Sequence, residues 1–237
     1  MIKFEMHVHS KGGSRCAKAD VDTIVNHYAS KGYDGLVITN HIDSYNYNNT
    51  LVGDNHKEKT NYFFSLYEDA KIKGEKLNLK IFCGIEVRDI DNTEYMLYGF
   101  EPRLLYDNKP LFEYNQKELF YLAEKEKLFM YQTHPFRYGV KCGNPKYMHG
   151  AEAFNGHFHH LNNNKQAEEF CNKYNLIKMS GTDYHEPNQP LTSYMYIPSQ
   201  INNEQALVEY LFKGKTEYYG DEEYYMNEFM KAQRNIK

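Results

Sequence analysis

The chain has 237 residues, of which 41% are hydrophobic and 16% aromatic, with 23 Tyr, 14 Phe and no Trp; this apolar mass excludes a disordered chain, and the length suits one α/β barrel domain of ~200–250 residues better than two domains. Lys and Arg total 28 against 32 Asp and Glu, a formal charge of -4, so no basic field exists to hold a long nucleic-acid backbone. No run approaches the ~18 apolar residues of a membrane span, no apolar leader follows Met1, and Cys16, Cys83, Cys142 and Cys171 form no CxxC pair, a pattern that predicts a soluble cytoplasmic protein without a disulfide framework or zinc ribbon.

In chain order, Ile2 to His9 alternates Ile2, Phe4, Met6 and Val8 with Lys3, Glu5, His7 and His9, the period of a strand with one apolar and one polar face. Asp20 caps a predicted helix with apolar positions Val21, Ile24, Val25, Tyr28 and Ala29, stopped at Gly32. Gly35 to His41 reads as a buried strand. After an Asn- and Tyr-rich loop over 44–57 come a helix carrying Tyr62, Phe63, Leu66, Tyr67 and Ala70, then neighbouring strands from Leu79 to Val87 and from Glu94 to Phe100. A helix near 114–127 leads to a strand from Leu128 to His134. A strand over 151–156, a helix from Gln166 to Tyr174 and a strand from Leu176 to Asp183 follow. A strand from Thr192 to Pro198 and a helix near 203–213 complete a domain over 1–215, and 216–237 is an acidic, Tyr-rich tail read as an appended helix. Strands alternating with helices, without a Gly-rich phosphate loop, imply a parallel sheet closed into a barrel.

The polar residues that stand out end predicted strands. His9, His41, Glu86, His134 and Asp183 each fall at a strand C-terminus, where barrel enzymes place their active sites. In His7-Val8-His9 the two imidazoles share a side of the strand about 7 Å apart, close enough to bind one ion. With Thr39-Asn40-His41, Gly84-Ile85-Glu86, Thr133-His134-Pro135 and Asp183-Tyr184-His185, five imidazoles and two carboxylates result. That mixture suits Zn²⁺, Mn²⁺ or Fe²⁺, whereas Ca²⁺ would call for mostly oxygen ligands.

Five separated motifs in this order, spread from about residue 3 to residue 198, resemble those of the PHP (polymerase and histidinol phosphatase) domain family. The resemblance implies a single-domain distorted (β/α)7 barrel that binds two or three divalent transition-metal ions and hydrolyses a small phosphomonoester or nucleotide-type ester, histidinol phosphate being one family substrate, with a metal-activated water. It implies a first metal on His7, His9, Glu86 and Asp183, a second shared by Glu86 and His134, and a third on His41 and His185, with catalysis resting on Glu86, Asp183 and His185. The chain departs from the family pattern in three places. After the His pair it offers Cys16, which reads equally as a ligand and as a small buried filler. Tyr95 stands where a His is often found, and Asn40 stands for the common Asp, which bears on a hydrogen bond more than on a ligand.

Arg15 and Arg137 are candidates to clamp the substrate phosphate, while Lys11 reads as solvated. Asn155, in a Glu-x-x-Asn segment, is a candidate to orient a ligand or touch substrate. His157, His159 and His160 read as exposed loop surface, as do His27, His56 and His149. Cys83 reads as core, and the Tyr pairs at 218–219 and 224–225 as packing rather than base stacking. Two other readings compete. An amidohydrolase-like barrel also opens with His-x-His, but Glu86, the Asp183-x-His185 ending and the lack of a bridging Lys count against it. A barrel with depleted second and third sites would bind metal as a scaffold without turnover.

Overall fold

A computed structural model describes residues 1–235; the last two residues of the predicted tail lie outside the described residues. One ten-stranded sheet dominates. Its strands are β1 (Ile2–Val8), β2 (Gly35–Ile38), β3 (His41–Ile42), β4 (Lys80–Arg88), β5 (Glu94–Tyr98), β6 (Phe129–Gln132), β7 (Gly150–Asn155), β8 (Ile177–Gly181), β9 (Ser193–Ile197) and β10 (Glu217–Gly220). The order is β10-β9-β1-β2-β4-β5-β6-β7-β8, with β3 beside β4. The pairs β1/β2, β2/β4, β6/β7 and β7/β8 are parallel. The expected all-parallel sheet is corrected at two places: β5 runs antiparallel between β4 and β6, and β9 and β10 form an antiparallel flap on β1. The connection from Arg88 to Glu94 is too short for a crossover helix, so β4 and β5 can only form a hairpin. The sheet is a nearly closed, distorted barrel. The predicted tail begins as a strand, β10, before its helix.

Helices α1 (Val21–Ser30), α2 (Ser44–Asn49), α3 (His56–Glu75), α4 (Arg103–Asp107), α5 (Gln116–Glu126), α6 (Asn164–Tyr174), α7 (Glu204–Leu211) and α8 (Glu222–Asn235) surround it. As the sequence predicts, the Asp20 side chain caps α1 by accepting from Thr23 N, and Val21, Ile24, Val25 and Tyr28 face the sheet. Inside the barrel, Phe4, Met6, Val37, Phe82, Met96, Tyr98, Phe129, Tyr131 and Met179 form one apolar cluster with Leu207, Val208 and Leu211 of α7. The outer cores under the helices are separate clusters.

Strand β1 does not keep the expected two-faced alternation. Its register against β2 shifts between Glu5 and Val8, so Met6 joins the inner cluster while Val8 packs with α1 in an outer one. Such a bulge turns two successive residues toward one face, and His7 and His9 thereby enter the barrel instead of lying on the face opposite Met6. The bulge is held by Glu5. Its buried Oε1 accepts from Met6 N, His7 N and Thr182 N, each at 2.9 Å, and Oε2 accepts from Thr182 Oγ1 at 2.8 Å and Tyr28 Oη at 3.2 Å. Thr182 follows β8, so this carboxylate spans the seam where the barrel closes. Just beyond it, Val8 bridges Tyr184 in parallel, with His9 N donating to Tyr184 O at 2.9 Å and Tyr184 N to His7 O at 3.1 Å. Gly181 is obligatory here, because a Cβ would stand 2.5 Å from His7 Cβ.

Three of the histidines expected on the surface, His27, His56 and His149, are packed connectors. His27 is half-buried against Tyr184 with Nε2 at 3.2 Å from Gln189 O; His56 joins Tyr47 Oη to Leu105 O; His149 Nδ1 accepts from Met130 N at 2.9 Å. Cys83 is buried, as predicted. Tyr218 and Tyr225 pack inward while Tyr219 and Tyr224 stay exposed.

Burial pushes the Glu5 carboxyl up to about 7, against the hydrogen bonds from Thr182 and His7. The folded chain therefore holds this proton more tightly than the unfolded one, and the group's contribution is full below about 4.5 and lost as pH rises through about 7. Glu5→Gln keeps the shape, and its hydroxyl partners can accept from the new amide. Its Tm relative to wild type should rise across that window; a pH-independent difference contradicts the assignment. Glu5→Ala strands three backbone N–H groups and should cost at least about 3 kcal/mol in denaturant unfolding.

Candidate metal centre

All seven predicted ligands meet at the C-terminal mouth of the barrel. His7 and His9 arrive from β1 and its end, His41 from β3 directly opposite Glu86 on β4, His134 from the end of β6, and Asp183 and His185 from the turn after β8. His7 Nε2 and His9 Nε2 lie 3.0 Å apart, 3.3 and 3.2 Å from Glu86 Oε2 and each 3.4 Å from Asp183 Oδ1. His41 Nδ1 is 3.2 Å from Glu86 Oε2, and His134 Nε2 is 3.3 Å from Glu86 Oε1. Ligand atoms bound to one ion at about 2.0–2.2 Å are separated by roughly 3–3.5 Å, which is the spacing seen.

The residues present fit a divalent ion. Glu86 Oε1 and His41 Nδ1 are buried without a hydrogen-bond partner among the described residues, an arrangement that costs free energy unless something else satisfies them. The ring atoms facing away from the centre are committed, which sets the tautomers. His7 Nδ1 donates to Glu152 Oε1 at 2.7 Å, His9 Nδ1 to Ser14 Oγ at 2.9 Å and His185 Nδ1 to Asp183 O at 2.8 Å. Each Nε2 lone pair is thereby left for the centre. Ser14 Oγ also accepts from His41 N at 2.9 Å and donates to Asn40 Oδ1 at 3.2 Å. Asn40 thus organises the loop after the His pair rather than binding the centre, as its position predicts.

Electrostatics lead to the same centre. Burial would depress the His7 imidazole, but the Asp183, Glu152 and Glu86 carboxylates outweigh it and hold it well above its usual range. Burial likewise opposes His9, which Asp183 and Glu86 raise. Burial works against ionisation of Glu86 and Asp183 too, yet His7 and His41 hold the first, and His7, Arg137 and His185 the second, well below the usual carboxylate range. Burial keeps His41 and His185 on the neutral side. These carboxylates demand positive charge, and divalent ions would meet that demand while using the Nε2 lone pairs.

Sequence reasoning missed Glu94. On β5, Glu94 shares a face with Met96 and Tyr98, both inside the barrel, and its Oε2 lies 3.5 Å from His134 Nε2. Tyr95 faces the outer core, so the position that matters is Glu94 and the departure noted at Tyr95 is corrected. The period-2 alternation of β5 carried this signal. His157 is also corrected: it is buried, not exposed, and packs 4.8 Å from the His185 ring, and with His159 and His160 it lines the cavity. Cys16 Sγ lies 3.0 Å from His185 Nε2. Cys16 is exposed as a residue, but burial of its thiol beside the Asp183 and Glu86 carboxylates pushes it up to about 12.

The two arginines differ. Arg15 is exposed at the rim of an open cavity of about 350 Å³, its guanidinium 4.2 Å above the Tyr45 ring. Arg137 is bound inward, donating to Asp183 Oδ2 at 2.6 Å, Asn155 Oδ1 at 2.9 Å and Asn162 Oδ1 at 2.8 Å. Asn155 Nδ2 in turn donates to Glu152 Oε2 at 2.9 Å. Asn155 and Arg137 hold ligands in place, and Lys11 is exposed. His134 and Asp183 have φ of 30° and 50°, left-handed backbone that costs on the order of 1–3 kcal/mol in residues other than glycine. Glu152 Oε2 accepts from His134 N at 2.8 Å, so one carboxylate fixes both that strained peptide and His7.

No protein-family model and no curated protein matches the sequence. Similar solved structures exist. A two-domain protein from Bacteroides vulgatus containing a predicted PHP-like metal-dependent phosphoesterase matches with a TM-score of 0.68 and 20% identity over 98% of this chain and 69% of that one. PsfC from Pseudomonas syringae matches with a TM-score of 0.68 and 14% identity over 100% and 99% of the two chains. The lesion-specific endonuclease EndoQ of Pyrococcus furiosus matches with a TM-score of 0.63 and 10% identity over 92% and 57%.

Because Glu152 holds His7, His134 and Asn155 together, Glu152→Gln should weaken Zn²⁺ or Mn²⁺ binding about 10–100-fold in a calorimetric titration while the melting curve stays cooperative. Unchanged affinity would show the ring to be oriented by packing alone. With its cluster of imidazoles and carboxylates at the mouth of a distorted mixed barrel, the chain has the fold of the PHP-like metal-dependent phosphoesterases.

Proposed function

We propose that this chain is a metal-dependent phosphoesterase acting on a small phosphomonoester or nucleotide-type ester, with two or three Zn, Mn or Fe ions. The observation that carries it is the convergence of imidazole and carboxylate ligand atoms, two of them buried without a hydrogen-bond partner among the described residues, beneath a cavity with Arg15 at its rim. The likeness in fold to PHP-like phosphoesterases supports it. His7, His9, Glu86 and Asp183 would hold one ion, Glu86, Glu94 and His134 a second, and His41, His185 and Cys16 a third. Bound ions of this kind lower the pKa of water toward ~7 and neutralise phosphoryl oxygens.

The chain's own groups do the rest. Arg137 and Asn155 fix Asp183, Glu152 fixes His7, and Arg15 can swing from Tyr45 to take two phosphoryl oxygens in its planar fork. The cavity is the size of a small-molecule site and the chain is net acidic, which suits a small phosphorylated substrate rather than a long polyanion. No helix among the described residues is long and apolar enough to cross a membrane, and we place the protein in the cytoplasm.

Protein stripped with chelator should be inactive on p-nitrophenyl phosphate and nucleoside monophosphates and regain turnover with Mn²⁺ or Zn²⁺; full metal loading without turnover on any monoester would instead indicate a binding scaffold. Glu86→Gln should abolish activity and lose more metal than His185→Ala, since Glu86 serves two sites. Arg15→Ala should lower kcat/KM about 10–100-fold at constant metal content, the loss of one charge-assisted hydrogen bond of ~1.5–3 kcal/mol, with only partial rescue by Lys.

A further inference from the structure

Ligand chemistry changes across the cavity. In one set, His9, Cys16, His41 and His185 each place a ligand atom within 4.8 Å of the others, with Cys16 Sγ 3.0 Å from His185 Nε2. A second, carboxylate-rich set adjoins it: Glu86 and Glu94 lie within 4.8 Å of each other and of His41, and their oxygens stand 3.3 and 3.5 Å from His134 Nε2. The first set offers sulfur and nitrogen, the second mostly oxygen. One lone pair serves one ion, and His9 Nε2 is already 3.0 Å from His7 Nε2 and shares Glu86 and Asp183 with it. Cys16 and His185 then belong to the sulfur set alone, with His41 between the two sets, its Nδ1 also 3.2 Å from Glu86 Oε2.

Cys16 is held there by its backbone and is not a cysteine on a loose loop. Arg15 N donates to Asn46 Oδ1 at 2.9 Å, Ala17 N to Ser14 O at 3.1 Å, and Lys18 N and Ala19 N to His185 O at 2.6 and 3.1 Å. The loop after β1 is thus tied to the very residue whose imidazole faces the thiol. Gly13 lets it pass so close, since a Cβ there would stand 2.1 Å from Asn40 Nδ2. Cys83, Cys142 and Cys171 are outside the cluster.

Thiolate with imidazole selects thiophilic borderline ions such as Zn²⁺, whereas carboxylate-rich sets suit Mn²⁺ or Mg²⁺. We infer that the centre is built for unlike ions: a thiophilic ion such as Zn²⁺ on Cys16, His41 and His185, and a harder ion such as Mn²⁺ on Glu86, Glu94 and His134. This rests on the cluster being a metal centre but not on phosphoester hydrolysis.

The test uses the full chain stripped of metal, with cobalt as the spectroscopic substitute for zinc. Co²⁺ should produce a near-ultraviolet thiolate-to-cobalt charge-transfer band that Cys16→Ser abolishes and Cys142→Ser leaves intact. Bound Mn²⁺, read by electron paramagnetic resonance, should weaken at least ten-fold in Glu94→Gln while the cobalt band persists. In wild-type protein, independently of any variant's folding, Zn²⁺ but not Mn²⁺ should protect Cys16 from iodoacetamide, followed by peptide mass spectrometry. A band that survives Cys16→Ser, equal protection by both ions, or equal weakening of both metals in both variants would overturn the inference. These readouts need no turnover, so cobalt and manganese binding as described in a protein without phosphatase activity would defeat the proposed function and leave this one standing.

Discussion

The centre depends on a buried carboxylate that never touches it. Glu5 lies on the outer side of β1 and takes up the backbone N–H groups of Met6 and His7 that a bulge has removed from the ladder with β2. The same oxygen takes up Thr182 N across the closing seam. Without an acceptor there, two strands that are not laddered at this level would leave donors buried and unpaired, at ~1–3 kcal/mol each. The bulge reverses the facing of β1 and sends His7 and His9 into the mouth of the barrel, while the seam bond places Thr182 beside Asp183. Both halves of the candidate ligand set are therefore positioned by one side chain, and the geometry of that cluster is coupled to barrel closure.

Around the mouth, the fold accepts local costs that only a bound partner would offset. His134 and Asp183 sit in left-handed backbone, and Glu86, Glu94 and Asp183 share a small buried volume. Arg137 and the imidazoles hold these carboxylates ionised, and Glu152 anchors one strained residue through its peptide N–H. Strain and like charge are concentrated in one place, against a barrel otherwise packed with Phe, Met and Tyr, the pattern expected of a functional site rather than of a packed core.

Much of this was legible in the sequence, for a physical reason. His41, Glu86, His134, Asp183 and His185 end apolar strands, and a barrel brings strand ends together whatever the details of pairing, so ends suffice to assemble them. Facing within a strand is harder to read. Met6 and His7 break the alternation only because Glu5 pays for a bulge, which no periodicity rule shows. Glu94 is hard to read although its strand keeps strict period 2, because the resemblance implies an imidazole at this place and the adjacent Tyr95 is the nearer ring, yet Tyr95 faces the outer core. His157 was misread because a His-rich loop looks solvated until α8 is in place: Tyr225 Oη on that helix accepts from Asn162 N at 2.8 Å and donates to His160 O at 2.6 Å, pinning the loop over the cavity. No local pattern relates residue 225 to residue 157.

The same distinction between position and identity explains the departures at Cys16 and Glu94. Both stand where imidazoles or other ligands would complete the pattern, and both still direct a donor atom to the centre; what changes is the softness of that donor. A scaffold fixes where a ligand atom arrives through backbone register, as with the antiparallel pairing that puts Glu94 opposite the end of β6 and the hydrogen bonds that tie Lys18 N and Ala19 N to His185 O. It does not fix which atom is carried there. Ligand type can therefore vary at constant geometry, and with it the ion preferred, while Arg137, Asn155 and Glu152 continue to hold the remaining ligands in the arrangement that the barrel imposes.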